Sequence, residues 1–293
     1  MHLAPRTKAR GPNEYAARIV EDVVTPRGPY RLRLMARNGR WAAPLPSGEA
    51  VAWQRLDGRV VLRAPDEPSL ARARFMLALE DDTAEFHRRF ARDRLLGPTA
   101  RALAGYRPLR VATVAHATLR ALCGQLIESH RARALERAVL RLIGARVASR
   151  EALAALAPVE LRRVGLAQHR ATALVHLART IDLEALHAHP TGVVQARLSR
   201  EREIGPWSIG VIALEGLGRF DHGLVGDLGL IKLAASLWRR WPEGWETAEL
   251  LSPYAEWQGL AGELLLLGWS RGLVPGADAD VARHTRLRTK RVA

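Results

Sequence analysis

The chain has 293 residues, of which 48% are hydrophobic, and 45 basic against 30 acidic residues give it a formal charge of +15. This balance indicates an anionic partner, most often nucleic acid, and no apolar run reaches the roughly 18 residues that predict a membrane span. The single cysteine, Cys123, excludes an intramolecular disulfide, a four-cysteine iron–sulfur cluster and a cysteine-rich zinc site. Its apolar neighbours predict that it is buried. The first residues lack the apolar core of a signal peptide, so we expect a soluble cytoplasmic protein.

The first part of the chain predicts strands. Residues 30–37 (YRLRLMAR) alternate apolar and basic side chains, which is the period-two pattern of a strand. Residues 50–64 contain two further runs of this kind on either side of Asp57 and Gly58. An Asp-Gly pair between such runs is a strong signal for a β-hairpin. We therefore predict antiparallel strands here.

The rest of the chain predicts helices. The pattern is helical over residues 69–96, and a connector with glycine and proline follows at 97–110. From about residue 113 onward, apolar residues recur at spacings of three and four. Ser149 is placed to cap a helix N-terminus, and Gly165 is placed to end one. The predicted fold class is α+β, with a mainly α-helical domain preceded by a small antiparallel β-containing domain.

We predict three regions along the chain. The β-containing domain with its trailing helix covers residues 1–108, the helical domain covers 109–275, and a basic tail covers 276–293. The tail carries enough arginine to contact phosphates, although a solvated tail is the favoured interpretation. No internal repeat with a fixed period is visible.

A turn between two predicted helices, residues 203–208 (EIGPWS), has the composition of an anion site. Ile204 can anchor the turn in the core, and Gly205 has no Cβ, so another backbone can approach it closely. Pro206 suits the first turn of the helix that follows. The free N–H groups at such a helix start can bind a DNA phosphate. An ordinary helix–helix corner explains the same letters equally well.

A carboxylate follows one helix later. Asp227 precedes an apolar helical run, so its structural role is to cap that helix. The helix dipole favours negative charge at this position. Capping and chemistry are therefore compatible in one side chain.

Four segments, in order, resemble the helix-hairpin-helix, Gly/Pro-rich loop, aspartate (HhH-GPD) superfamily of DNA glycosylases, and most of all its 3-methyladenine DNA glycosylase II branch. They match that branch's Leu-Gly-Gln-Leu/Gln-x-Ser, Ile-Gly-x-Trp-Thr-Ala and Leu-Pro-x-Asp segments and its last helix, at residues 122–130 (LCGQLIESH), 204–214 (IGPWSIGVIAL), 224–232 (LVGDLGLIK) and 256–269 (EWQGLAGELLLLGW). The likeness spans about residues 110–270. The N-terminal strands fit the family's small β domain more loosely.

The resemblance implies a role for each matched residue. Asp227 would be the catalytic carboxylate, which stabilises positive charge on the deoxyribose as the N-glycosidic bond breaks. Leu126 would fill the gap that an extruded nucleotide leaves, with Gln125 beside it. Trp207 would stack on the extruded base, and an indole face suits an alkylated, cationic purine. The structural alternatives are a helix-core leucine at Leu126 and a buried structural tryptophan at Trp207.

The resemblance also defines two wider sets of residues. The implied base pocket consists of Trp207, Val211 and Leu266. The implied DNA-binding residues are Gln125, Leu126, Ile204, Gly205, Pro206, Ser208 and Gly210.

Four of the departures from the family pattern concern the predicted site. Glu203 replaces the first hairpin glycine, which places a carboxylate near the expected DNA phosphate. Val225 replaces the proline of the Leu-Pro-x-Asp segment. Val211 and Leu266 stand where relatives have aromatic pocket residues. These changes leave the identity of the damaged base open.

The expected function is a monofunctional DNA glycosylase of base-excision repair. It would act as a nucleoid-associated monomer on alkylated, deaminated or etheno purines in double-stranded DNA and leave an abasic site. Bifunctional relatives place a Schiff-base lysine where this chain has Trp207, so no lyase activity is expected. The alternative is a noncatalytic DNA-binding damage sensor of the same fold, and an RNA-binding or scaffold protein rests on charge alone.

Cofactor chemistry is not expected. The histidines near residues 187–190 (HAHP) have no acidic or cysteine partners in the sequence, so metal binding there is disfavoured. No cofactor and no iron–sulfur cluster are predicted, and a structural monovalent cation at the hairpin is left open.

Overall fold

The computed structural model describes residues 19–125 and 127–278. Its strands are β1 to β4, at Val20–Val24, Arg40–Leu45, Gly48–Gln54 and Val60–Ala64. Its α-helices are α1 to α13, at Glu67–Met76, Ala84–Phe90, Gly97–Ala102, Val114–Gly124, Ser129–Leu142, Arg150–Ala154, Pro158–Arg163, Gln168–Thr180, Thr191–Leu198, Pro206–Val211, Leu228–Trp238, Thr247–Leu251 and Gln258–Trp269. A π-helical turn, Ile212–Leu217, continues α10, and short 3₁₀ helices lie at Leu32–Leu34, Arg37–Gly39, Glu184–Ala188, Gly244–Glu246 and Ser252–Trp257.

The strands form one antiparallel sheet with the order β1-β4-β3-β2. The predicted hairpin at Asp57 and Gly58 is confirmed, because β3 pairs with β4 across it. Gly58 has a φ of 86°, a left-handed conformation that glycine adopts without strain. Asp57 Oδ1 accepts a hydrogen bond of 3.0 Å from the Arg59 N–H and so holds the turn.

The strand predicted at residues 30–37 is wrong. This segment forms the 3₁₀ helices Leu32–Leu34 and Arg37–Gly39 and pairs with no strand, although Arg31 N donates to Gly105 O at 2.9 Å. The Gln54 side chain accepts from Leu32 N at 2.9 Å and donates to Tyr30 O at 3.2 Å. Alternation over a few residues also fits a turn that buries every second side chain, so the pattern did not separate the two.

Two hydrophobic cores divide the chain. The smaller core lies between the sheet and α1, and it includes Trp41, Leu62 and Leu70. The larger core begins at Phe86 in α2 and continues through the remaining helices. The predicted first domain, 1–108, therefore contributes to both cores. The helix predicted at 69–96 is interrupted between α1 and α2, where Ala78 has a φ of 54°, and the predicted connector contains α3.

Helix α4 forms the centre of the larger core. It is buried over most of its length and packs against α5, α8, α10 and the π-helical turn. The predicted burial of Cys123 is confirmed, and burial raises the pKa of its thiol to about 12. Ser149 caps α6 by accepting from Ala152 N at 3.2 Å, as predicted. Gly165 has a φ of 100° just beyond α7.

The order of elements confirms the α+β fold class, with a small antiparallel sheet followed by helices. Among residues 19–125 and 127–278, no helix has both the length and the apolar character needed to cross a bilayer. The turn between α9 and α10 forms a helical hairpin, and α11 begins shortly after the π-helical turn. This arrangement brings the hairpin, the end of α4 and the start of α11 together.

Candidate functional site

A cleft of about 930 Å³ opens between the end of α4, the α9–α10 hairpin and the start of α11. It collects side chains that are distant in sequence. Most of the residues predicted from the sequence line it, namely Gln125, Ile204, Gly205, Pro206, Trp207, Ser208, Val211 and Asp227.

Asp227 occupies the N-cap of α11, as predicted. Its Oδ1 accepts hydrogen bonds from Gly229 N at 2.7 Å and from Leu230 N at 3.1 Å. Its Oδ2 accepts from the indole Nε1 of Trp207 at 3.0 Å. Three donors thus fix the carboxylate at the wall of the cleft, half-buried rather than sealed.

Trp207 is held at both ends of its ring system. Its N–H binds Asp227, and its benzo edge lies against Gly124 at the end of α4. A Cβ added to Gly124 would come within 2.7 Å of Trp207 Cη2, so this glycine is needed for the contact. Trp207 is therefore half-buried, and it forms a fixed wall of the cleft.

Gln125 ties α4 to the hairpin. Its side-chain nitrogen donates to the carbonyl oxygen of Glu203 and, at 3.0 Å, to the hydroxyl of Ser208. Ser208 is buried. The resemblance implies that Gln125 and Ser208 contact DNA. In the structure one of these hydrogen bonds joins Gln125 to Ser208, and the other joins Gln125 to the backbone of the hairpin.

The hairpin itself has the expected anchor and the expected exposed turn. Ile204 is buried in the larger core, while Gly205 and Pro206 are exposed. A Cβ added to Gly205 would meet no atom of the described chain within 4 Å. The absence of a side chain there does not serve internal packing, and it leaves the backbone open to an outside group.

Glu203 adopts a conformation suited to glycine. Its φ is 67°, in the left-handed region that residues with a Cβ adopt only under strain. This is the position where the sequence departs from the family's glycine. Its carboxylate lies 3.7 Å from His169 Nε2 and lines the cleft.

Three other sequence-based assignments have different outcomes. Val211 is buried and lines the cleft, as expected of a pocket residue. Gly210 is buried, and an added Cβ would come within 2.5 Å of the Gly223 carbonyl oxygen, so close packing explains this glycine, and its contact with DNA stays a prediction. Leu126 lies outside the described residues.

The assignment of Leu266 to the base pocket stays a prediction. Leu266 packs against the larger core and is not among the described residues that line the cleft. Trp269, three residues farther along α13, does line it. Among the described residues, helix α13 therefore contributes to the lining of the cleft through Trp269.

Two further residues of the cleft were not predicted from the sequence. Lys232, the one lysine within residues 19–125 and 127–278, lines the cleft from α11. Trp245 also lines it and is 69% exposed. No local signal in the sequence separates these two residues from other surface residues.

A network of charged residues also lines the cleft, and the sequence analysis did not single it out. Arg120 donates to both oxygens of Glu136, at 3.0 and 3.3 Å, and to Glu215 Oε2. His116 Nε2 lies 2.9 Å from Glu136 Oε1. Burial opposes the charge on Glu136, but the hydrogen bonds from His116 and Arg120 outweigh it and lower its pKa to about 2.

The described residues contain no cluster of three or more His, Cys, Asp or Glu side chains arranged to hold a metal ion. What the cleft offers is a fixed carboxylate, aromatic walls and an exposed helix start at the hairpin. Such a set can bind a flat ring beside a carboxylate and an anion beside Gly205.

No protein-family model and no curated protein matches the chain. Solved structures do match. A 3-methyladenine DNA glycosylase from Archaeoglobus fulgidus superimposes with a TM-score of 0.70 at 16% identity, over 86% of this chain and 98% of that one. An 8-oxoguanine glycosylase/lyase from Clostridium acetobutylicum, in complex with double-stranded DNA, gives 0.67 at 15% identity, over 81% and 86%.

A 3-methyladenine DNA glycosylase from Schizosaccharomyces pombe, in complex with abasic DNA, gives a TM-score of 0.52 at 17% identity, over 61% of this chain and 92% of that one. At these identities the likeness defines the fold. It agrees with the segments from which the sequence analysis inferred a resemblance. The chain therefore has the fold of the helix-hairpin-helix, Gly/Pro-Asp DNA glycosylases.

Proposed function

We propose that this protein is a monofunctional DNA glycosylase of base-excision repair. It extrudes a damaged purine from double-stranded DNA and hydrolyses the N-glycosidic bond, which leaves an abasic site. Alkylated purines are the first candidates, and deaminated and etheno purines are the second. The observation that carries the proposal is the placement of Asp227, which three hydrogen bonds fix in the same cleft as Trp207 and the exposed hairpin.

The chemistry follows from where charge develops. As the bond to the base lengthens, the deoxyribose becomes positively charged, and a fixed carboxylate beside it stabilises that state. Asp227, whose Oδ2 accepts the hydrogen bond from Trp207, lines the cleft in which the sugar would lie. A protein that only binds DNA gains nothing from a carboxylate next to an anionic backbone, so Asp227 favours catalysis over a damage sensor.

The hairpin supplies the contact with the DNA backbone. The exposed start of α10, with Gly205 as its N-cap, offers the backbone N–H groups that follow Pro206 in its first turn to a phosphate. Lys232 and the overall charge of +15 add attraction for the same partner.

The absence of lyase activity is part of the proposal. Trp207 occupies the position of the Schiff-base lysine in bifunctional relatives, and an indole cannot form that adduct. Lys232 is the one lysine among the described residues, and it lines the same cleft as Asp227. Borohydride trapping on abasic DNA tests this directly, and we expect no covalent complex. A trapped complex that Lys232→Arg abolishes would contradict monofunctional action.

The test of the proposal is base release from duplex oligonucleotides that carry N7-methylguanine, hypoxanthine or 1,N6-ethenoadenine. We expect wild type to release at least one of these bases and Asp227→Asn to release none at a comparable rate. Asn keeps the capping oxygen, so the variant should fold. Tight binding by both proteins without release would instead support the noncatalytic damage sensor.

A further inference from the structure

Three charged side chains line the part of the cleft between α4, α5 and the π-helical turn, which we call its inner end. Arg120, Glu136 and Glu215 all line it. They come from α4, α5 and the π-helical turn, and the hydrogen bonds from Arg120 to both carboxylates hold them as one unit.

The spacing along α10 shows how far Glu215 lies from Trp207, whose indole binds Asp227. Trp207, Val211 and Glu215 follow one another at intervals of four residues along α10 and its π-helical continuation, and all three line the cleft. Residues at this spacing share a helix face. Glu215 therefore lies about two helical turns from Trp207, with Val211 between them.

Helix α4, on the opposite wall of the cleft, leads from Trp207 toward the same charged unit. Gly124 contacts the ring of Trp207, and Arg120 lies one turn earlier on α4. A base that enters past Trp207 and lies against Val211 thus presents its far edge to Arg120 and Glu215, while its sugar stays near Asp227.

The hydrogen-bonded unit of Arg120, Glu136 and Glu215 is net negative by itself, while Arg133 and Arg170 also line the cleft. One guanidinium lies between two carboxylates, so Arg120, Glu136 and Glu215 together sum to one negative charge. Glu215 is the carboxylate more open to the cleft, because 25% of its side chain is exposed compared with 10% for Glu136. Val211 is aliphatic and offers no electron-rich ring face to a cation at this depth.

We propose that Glu215 is a specificity-determining residue, whose carboxylate, positioned by Arg120, selects a positively charged N-alkylated purine over a neutral damaged base. This inference rests on the proposed glycosylase function. It assigns the choice of base to electrostatics at the end of the cleft, where an aromatic residue would otherwise make that choice by stacking.

The test compares two substrates within each protein. Single-turnover rates of base release are measured for duplexes with N7-methylguanine, which is cationic, and with hypoxanthine, which is neutral. We expect Glu215→Gln to lower the ratio of the two rates about 10-fold or more, because the amide keeps the shape and removes the charge. The ratio does not depend on the folded fraction of the sample, so partial unfolding cannot imitate the result.

Glu201→Gln is the matched control. Glu201 also lines the cleft, but it lies on the hairpin side and pairs with Arg197. The same change of charge there should leave the ratio within about twofold of wild type. An equal loss on both substrates in Glu215→Gln would overturn the inference and reduce Glu215 to a structural partner of Arg120.

A second measurement separates this inference from the proposed function. Calorimetric titration compares 7-methylguanosine, at a pH where its ring is cationic, with guanosine. If no base is released from any duplex, the glycosylase proposal fails, yet a preference for the cation that Glu215→Gln removes would still support the role of Glu215. Equal binding of the two nucleosides by wild type would overturn it.

Discussion

The indole N–H of Trp207 donates a 3.0 Å hydrogen bond to Oδ2 of Asp227, so the aromatic wall of the cleft and its carboxylate form one unit. The backbone donors of α11 engage only Oδ1. Among the described residues, Trp207 is therefore the group that orients Oδ2. The sequence suggested a stacking role for Trp207, and the structure adds a positioning role.

Replacing Trp207 with Phe separates the two roles, because it keeps an aromatic wall and removes the donor. We expect the maximal rate of base release to fall about 10-fold, equivalent to one hydrogen bond to a charged group, with little change in KM. Trp241→Phe, at a tryptophan that is 67% exposed, should have no effect. An unchanged maximal rate in Trp207→Phe would mean that the hydrogen bond is not needed.

Glu203 holds a left-handed conformation with a φ of 67°, so Glu203→Gly should relieve strain. Left-handed backbone is unfavourable for residues with a Cβ, so glycine removes this strain. Glycine also makes the unfolded chain more flexible, and this higher entropy offsets part of the stabilisation. We expect a net stabilisation of about 0.5–1 kcal/mol, measured by urea denaturation. Removal of the carboxylate near the hairpin should also tighten binding to duplex DNA about threefold or more at low salt.

Glu203→Ala distinguishes the backbone effect from the charge effect. Alanine removes the carboxylate but keeps the Cβ, so it should tighten DNA binding as glycine does without adding stability. If both variants bind DNA as wild type does, Glu203 does not face the phosphates. If Ala stabilises as much as Gly, strain at this position is not the cause.

Gly124 should not tolerate a side chain. The Cβ of Gly124→Ala would come within 2.7 Å of Trp207 Cη2, so the ring and its bond to Asp227 must shift. We expect a loss of about 1–3 kcal/mol in the free energy of unfolding, together with slower base release. Gly192→Ala is the control, because its added Cβ meets no described atom within 4 Å and the site is in α9. Equal stability of the two variants would show that the cleft can adjust.

The sequence predicted those parts of the site that depend on local signals. Asp227 preceded an apolar helical run, and Gly205 and Pro206 are ordinary residues for the start of a helix, so capping rules and the resemblance located them. The strand predicted at 30–37 failed because short alternation does not distinguish a strand from a 3₁₀ turn.

The charged network was beyond local reasoning. Arg120, Glu136 and Glu215 belong to three elements, and only the packing of α4 against α5 and the π-helical turn brings them together. Glu215 could have been predicted to share a helix face with Trp207 and Val211, because the three residues are spaced four apart. The partners of Glu215 could not have been predicted, since nothing near residues 120 or 136 indicates that their side chains meet.

The buried pair of His116 and Glu136 predicts how stability depends on pH. The folded-state pKa of Glu136 is about 2, below its ordinary value of 4.5, because hydrogen bonds from His116 and Arg120 outweigh burial. A depressed pKa contributes stability above pH 4.5 that is lost as the pH falls toward 2. The contribution is on the order of 3 kcal/mol.

Glu136→Gln removes this titration and therefore tests the prediction. At neutral pH the variant should be less stable than wild type, since Arg120 and His116 lose their charged acceptor. The difference between the two free energies of unfolding should shrink as the pH is lowered from about 4.5 toward 2, because wild type then protonates Glu136. Urea denaturation across this range measures it. A difference that stays constant with pH would show that its partners do not hold Glu136 ionised. The unit of Arg120, Glu136 and Glu215 would then not carry the net negative charge assigned to it.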